Sequence, residues 1–253
     1  MYNKERIEHI LEIVKEKGSV SVNELADRFG VSGATIRADL AKMDKAGLLT
    51  RTHGGAVTKL SVLREPLLTE RAQDDKKRMI AAAALEFIHE RDMILIDTGT
   101  TMTALARAIA DSPIEELTVY SNDLDVIRTL ESKEHFTLSL FGGRVRNGFH
   151  YCCGGEILNE LSNYHFNTLF LAPSAFHETC GLTTENPDLA CIKTAMIRAA
   201  ANVILLADSS KAGSVHLRKF ADLTDIDTLI TDRALYRDHK QTLEQQIPTL
   251  ITV

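Results

Sequence analysis

Ser32-Gly-Ala-Thr-Ile-Arg-Ala-Asp-Leu40, followed closely by Arg51-Thr-His-Gly-Gly-Ala56, decides the N-terminal fold. Ser32 is a residue type that caps helices, and Ile36, Leu40 and Met43 recur behind it at helical spacing. The pattern predicts a helix that turns those three inward and leaves Thr35, Arg37 and Lys42 on its other faces. Upstream, Lys4 to Lys17 carries Ile7, Ile10, Leu11 and Val14 on one face and stops before Gly18, which marks a first helix. Ser21-Val-Asn-Glu24 is a capping-box pattern that opens a second, with Leu25 and Phe29 inward and Gly30 at its close. Two helices on so tight a turn form a helix-turn-helix, whose second helix enters the major groove.

Downstream of Gly47, Leu48-Leu-Thr-Arg-Thr-His53 reads as strand and Gly54-Gly55 as a hairpin turn, which adds a wing. Ser32, Thr35, Arg37 and Lys42 on the helix, with Arg51 and His53 on the wing, are the candidate DNA contacts. Their hydroxyls, cations and imidazole suit phosphates and base edges. The competing reading is an ordinary three-helix bundle whose charges are merely solvated. From about Tyr2 to Val57 the stretch resembles the DeoR family of bacterial transcriptional regulators. That family usually shows Thr-Ile-Arg-Arg-Asp-Leu in its recognition helix. Here Thr35-Ile-Arg-Ala-Asp-Leu40 puts Ala38 in place of the second arginine, so one expected cation is missing.

Charge constrains how such a head would work. Residues 1–60 hold 10 Lys+Arg against 8 Asp+Glu, a balance of +2, which leaves −8 for the rest of a chain whose net charge is −6. A chain this acidic does not hold DNA through bulk charge. Binding requires a local basic face and a symmetric pair of heads, so a homo-oligomer, dimer or tetramer, is expected. With 253 residues and 44% hydrophobic content, two domains are expected rather than one. No apolar run is long enough to span a bilayer and the N-terminus lacks a secretory apolar stretch, so a cytoplasmic protein without membrane contact is expected. Cys152, Cys153, Cys180 and Cys191 show neither metal spacing nor disulfide density, and the nine histidines form no ligand pair. No metal and no cofactor are expected.

The pattern loosens between Val57 and Arg71, around Pro66. The expected division is a winged helix-turn-helix over 1–57, a linker over 58–73 and an α/β domain over 74–253. In the last, a helix from about Asp74 to His89 precedes apolar runs at Met93–Ile96, Leu117–Tyr120, Phe136–Phe141, Thr168–Leu171, Val203–Ala207, Thr228–Ile230 and Leu250–Val253. Most are continuously apolar and several are separated by helical segments. This predicts a mainly parallel, doubly wound sheet covered on both faces.

Ligands of such sheets bind outside the carboxyl ends of the strands. The residues there are Asp97-Thr-Gly-Thr-Thr101, Ser121-Asn-Asp123, Gly142-Gly143-Arg144, Ser174 and Asp208-Ser-Ser-Lys211. Their hydroxyls, amides, backbone N–H groups and lysine suit a phosphorylated polyol. Gly99 lets backbone approach an oxyanion, Thr98, Thr100 and Thr101 bring hydroxyls, and the following helix start favours negative charge. Asp97 suits sugar hydroxyls or the orientation of Lys211, while Lys193 and Lys211 are the countercharges. Asn122, Gly142 and Gly143 complete the candidate effector set, and no catalytic residue is assigned.

In chain order these segments resemble the sensor domain of the DeoR family over about Arg71 to Asp232. The matching residues are Lys77-x-x-Ile80-Ala81, Asp97-Thr-Gly-Thr-Thr101, Asn122, Gly142-Gly143, Gly154, Gly181-Leu-Thr183, Lys193 and Asp208-x-Ser210-Lys211. The resemblance implies a repressor of a sugar or nucleoside catabolic operon, released by a phosphorylated sugar, on an isomerase-like fold. A phosphosugar isomerase with an accessory DNA-binding head is the alternative, since Asp97, Asp208 and Lys211 are residue types such chemistry needs. Departures are Ser121-Asn-Asp123, where the family often has Thr-Asn-Ser, and Asp188-Leu-Ala-Cys-Ile192, where it usually clusters glutamates before the matched lysine. Arg144 and Arg146 are further cations in an individual stretch.

Overall fold

A computed structural model of the chain describes residues 3–17, 19–46, 48–51, 54–58 and 75–253. His53 and nearly all of the expected linker lie outside the described residues. The chain divides into two compact units, Met1–Arg64 with Gly213–Val215, and Glu65–Ala212 with His216–Val253.

The N-terminal unit packs α1 (Asn3–Lys17), α2 (Val22–Phe29) and α3 (Gly33–Lys45). Ile10, Ile13, Val14, Leu25, Ile36, Leu40 and Met43 form its core, so the apolar spacing of the three segments became their buried faces. Capping sets the turn between α2 and α3. Ser21 Oγ accepts from Glu24 N–H at 3.1 Å, Gly30 closes α2 at φ 62°, and Ser32 Oγ accepts from Thr35 N–H at 3.1 Å. Each such cap contributes about 1 kcal/mol.

The wing is larger than the sequence indicated. Short strand β1 (Ser19–Ser21) joins the hairpin of β2 (Leu49–Arg51) and β3 (Gly55–Thr58) in a sheet of order β1-β3-β2. Gly55 is therefore the first residue of β3, paired with Ser21, and not part of the turn. A Cβ on Gly55 would lie 1.9 Å from the Val20 carbonyl oxygen, whereas one on Gly54 meets nothing within 4 Å. Gly55→Ala is expected to destabilise this unit by about 1–3 kcal/mol and Gly54→Ala to leave it within about 0.5 kcal/mol. Thermal melts of the two variants check this, and equal melts would refute the close approach.

The C-terminal unit is built on seven parallel strands in the order β15-β14-β12-β9-β4-β5-β6. They are β4 (Met93–Ile96), β5 (Thr118–Ser121), β6 (Thr137–Leu140), β9 (Phe166–Leu171), β12 (Ala200–Ala207), β14 (Thr228–Thr231) and β15 (Thr249–Thr252). Alternate residues face opposite layers. Leu95, Leu169, Leu205 and Leu229 join a core with residues of α7 (Gly155–Leu161), α8 (Pro187–Arg198) and α9 (Arg233–Gln246). Ile94, Ile96, Phe170, Ile204, Leu206 and Ile230 join the other with α4 (Asp75–Ala84), α5 (Thr100–Ala110) and α6 (Leu124–Leu130). Both faces being covered explains why the central strands β4, β9 and β12 are mostly apolar, whereas the edge strands β6 and β15 carry Thr and Ser.

In order of appearance along the sheet, the strands run 3-2-1-4-5-6-7, so the order reverses between β4 and β9. That reversal is where a doubly wound sheet opens a ligand crevice. α4 ends at Ala84 and passes into a 3-10 turn, Leu85–Phe87, which makes it shorter than the sequence indicated. Missed altogether were the hairpin of β7 (Arg144–Arg146) with β8 (Tyr151–Cys153) and the antiparallel sheet of β10 (Ala175–His177), β11 (Gly181–Thr184) and β13 (Arg218–Ala221). These strands have three or four residues each, too few for a periodic signal.

Candidate functional site

On α3 the buried stripe of Ile36, Leu40 and Met43 leaves Arg37, Ala38 and Lys42 exposed, and Ser32 is exposed at the helix start. Thr35 is half-buried, and its hydroxyl is 2.9 Å from Ser32 Oγ, which ties it to the cap. Arg51 is exposed at the end of β2. Asp39, in the same motif, turns inward instead. It is 2% exposed, and its Oδ2 accepts from Arg6 Nε at 2.7 Å, which clasps α3 to α1. Sequence reasoning missed this pair, although Asp39 falls at the i+3 position from Ile36, on the apolar stripe.

In the C-terminal unit, Asp97 directly follows β4 at the reversal of strand order and is fully buried. Its partner is Lys193 on α8, itself 2% exposed, and not Lys211 as the sequence allowed. Lys193 Nζ also donates to Ala172 O at 2.8 Å, while Ala172 N–H donates to Asp97 Oδ2 at 3.1 Å. Three bonds thus fasten the ends of β4 and β9 to α8. Asp97 Oδ1 is buried and has no hydrogen-bond partner among the described residues. Four other buried polar atoms at or just beyond strand ends are in the same condition, Asn122 Oδ1, Asp208 Oδ2, Glu185 Oε2 and Thr231 Oγ1. Such atoms cost free energy until a donor reaches them.

Gly99, at φ 117°, precedes α5, and Thr100 and Thr101 lie in its first turn. The Gly99 N–H is already engaged, donating to Asp123 Oδ2 at 3.0 Å. Burial pushes the Asp123 carboxyl up to about 6, against hydrogen bonds from Gly99, Val126, Thr98 and Asp125. Asn122 donates from Nδ2 to Cys152 O at 2.9 Å. Lys211 ends a 3-10 turn, Ser209–Lys211, capped by Asp208, whose Oδ1 accepts from Ser210 N–H at 2.8 Å. Ser209 Oγ accepts from Lys76 Nζ at 2.7 Å, which links this loop to the start of α4.

Gly142 and Gly143 are placed elsewhere. They follow β6, the edge strand two positions from β4, and line a surface cavity of about 780 Å³ with Arg144, Cys153, Asp188 and Cys191. Asp97, Thr100, Lys193 and Lys211 take no part in it. Arg144 donates to Asp188 at 2.8 Å, and Arg146 lies 3.9 Å from the Phe149 ring centroid, so both are committed to protein groups. Thr100 instead borders a cleft of about 250 Å³ with Lys77, Arg78 and Arg107. This cationic cleft was also missed. Its one sequence signal is Lys77, which precedes Ile80, Ala81 and Ala84 on the buried side of α4.

A winged helix-turn-helix unit followed by a doubly wound α/β unit with acceptor-rich strand ends defines a DNA-binding regulator that carries its own sensor. Residues 6–61 match the DeoR-like helix-turn-helix domain, and residues 72–233 match the DeoR C terminal sensor domain. The chain belongs to the DeoR family of transcriptional regulators. It is 33% identical to a putative aga operon transcriptional repressor of Escherichia coli O157:H7, over 95% of this chain and 90% of that one. It is 36% identical to the HTH-type transcriptional regulator GlpR of Haloferax volcanii, over 98% and 96% of the two chains. The lactose phosphotransferase system repressor of Streptococcus mutans is 32% identical over 92% and 93%. Among solved structures, ribose 5 phosphate isomerase A from Neisseria gonorrhoeae aligns with a TM-score of 0.41 and 20% identity, over 56% of this chain and 55% of that one. Among the described residues, no helix is long and apolar enough to cross a membrane.

Proposed function

We propose that this regulator represses a carbohydrate catabolic operon as a cytoplasmic homo-oligomer. A phosphorylated sugar or polyol bound at the carboxyl ends of β4, β5 and β12 releases it from its operator. The observation that carries the reading is the Asp97–Lys193–Ala172 clasp at the reversal of strand order, with Asp97 Oδ1 still lacking a donor. Ligand hydroxyls supply donors to Asp97 Oδ1, Asn122 Oδ1 and Asp208 Oδ2. The anionic group meets the first turn of α5 and Lys211. Relatives named for the aga operon and for lactose phosphotransfer support a carbohydrate ligand.

Binding without turnover is sufficient for this role, because linkage alone moves the protein off DNA when the ligand favours one arrangement. Two heads in a symmetric assembly match two operator half-sites. Fluorescence anisotropy on the chain's own upstream DNA, with hexose, ketose, pentose and polyol phosphates titrated into the complex, tests both halves. Lys211→Ala is expected to abolish release while operator affinity is kept. Arg37→Ala is expected to weaken operator binding by about 1–3 kcal/mol while leaving ligand binding intact. Equal loss of both functions in Lys211→Ala would sink the assignment.

A further inference from the structure

Asp123 is an acid that this reading leaves unused. It is 1% exposed, and its carboxylate is bonded to backbone N–H groups of two elements. Its Oδ1 accepts from the N–H groups of Asp125 and Val126 at 2.8 and 3.2 Å, while its Oδ2 accepts from Gly99 N–H at 3.0 Å. One carboxylate therefore caps α6 and also occupies a donor at the mouth of α5. Backbone N–H groups at a helix start are what an anionic ligand uses, and here one of them already faces a negative charge. A serine would cap α6 with a neutral oxygen and bring no charge to Gly99.

We propose that Asp123 is a specificity determinant of the ligand site, and that anion binding at the start of α5 is coupled to proton uptake by its carboxyl group. The proposal rests on the assignment of the strand-end loops as the ligand site. On the neighbouring elements Lys193 is paired with Asp97, and His150 Nδ1 lies 3.0 Å from Asp125 Oδ2. Cys152, raised by burial first and then by Cys153 and Asp123, offers no positive charge, and neither does Tyr151, which pairs with Asp123 across a β-bridge. An anion arriving beside the ionised carboxylate meets a like charge in a buried setting, which works against the attraction of Lys211. Because burial raises the Asp123 carboxyl to about 6, that repulsion fades as pH falls through this value. The ligand anion then binds more tightly at acidic pH than at alkaline pH.

Sulfate is a suitable probe because its charge stays constant over the range concerned. Calorimetry of sulfate binding to the full chain is expected to show affinity rising roughly tenfold or more from about pH 8 to about pH 5. Asp123→Asn removes the charge and Asp123→Ser supplies a neutral cap, the latter serving if the former fails to fold. Both are expected to bind sulfate tightly at either pH, with a flat profile. The same affinity and the same pH slope in parent and variants would overturn the proposal, as would no sulfate binding at any pH. Release of operator by a phosphosugar alongside identical sulfate profiles removes only the role of Asp123. Failure of both sulfate and the phosphosugar panel removes the ligand site itself.

Discussion

Lys193→Ala is expected to destabilise the C-terminal unit by about 3–5 kcal/mol, because it strands the Asp97 carboxylate in a fully buried position. The ammonium is bonded to Asp97 and to Ala172 O at 2.8 Å, so its loss also leaves a strand-end carbonyl without that donor. For a unit of this size the melting temperature should fall by roughly 6–20 °C. Replacing both partners, Asp97→Leu with Lys193→Met, should cost less than the single change, since no buried charge is then left alone. Calorimetry of the single and double variants checks the coupling. An unchanged melt for Lys193→Ala would mean that the pair does not carry the fold at this point. Loss of ligand response in Lys193→Ala is therefore ambiguous by itself, which is why Lys211 is the better residue for testing ligand contact.

Asp39→Ala is expected to have a comparable effect on the N-terminal unit. The Arg6–Asp39 pair is buried between α1 and α3, and removing the acid leaves the guanidinium without its partner, at about 3–5 kcal/mol. A unit this small has little stability to spare, so the substitution should leave the head largely unfolded. Operator affinity should fall more than 100-fold, beyond the loss expected for an exposed contact such as Arg37. Asp39→Asn, which keeps an acceptor, should fall between the two. Hydrogen exchange of α3 separates the causes, since protection is lost in Asp39→Ala and kept in Arg37→Ala. Full protection and parental affinity in Asp39→Ala would show that the pair is dispensable.

Much of the fold was legible because its determinants are local. Ser21, Gly30 and Ser32 announce helix ends within three or four residues, and each makes the cap its position implied. The central parallel strands were legible because covering both faces demands largely apolar runs, as in β4 and β12. β7, β8, β10, β11 and β13 were not, since buried residues such as Tyr151, Phe176, Leu182 and Phe220 come in pieces too short for a period. Partner choice was the least legible. Asp97 and Lys193 lie 96 residues apart, and only the strand order brings β4 beside β9 and α8 over both. For the same reason Gly142 and Gly143, which look like members of one loop cluster in sequence, end up at the sheet edge.

The strand order also bears on how the protein is lost when it fails. β4 is the first sheet strand made and finishes in the middle, between β5 and β9. β5 follows within a few turns of chain, but β9 does not arrive until Phe166, so one side of Met93-Ile-Leu-Ile96 waits as an open apolar edge. Open edges of this kind template pairing between chains, and long-range parallel pairing closes slowly. Substitutions that weaken β9 or the clasp at its end should therefore appear in cells as inclusion bodies before they appear as unfolded monomer. Synthesis at lower temperature is expected to rescue them, because aggregation is then slowed while β9 still finds its place.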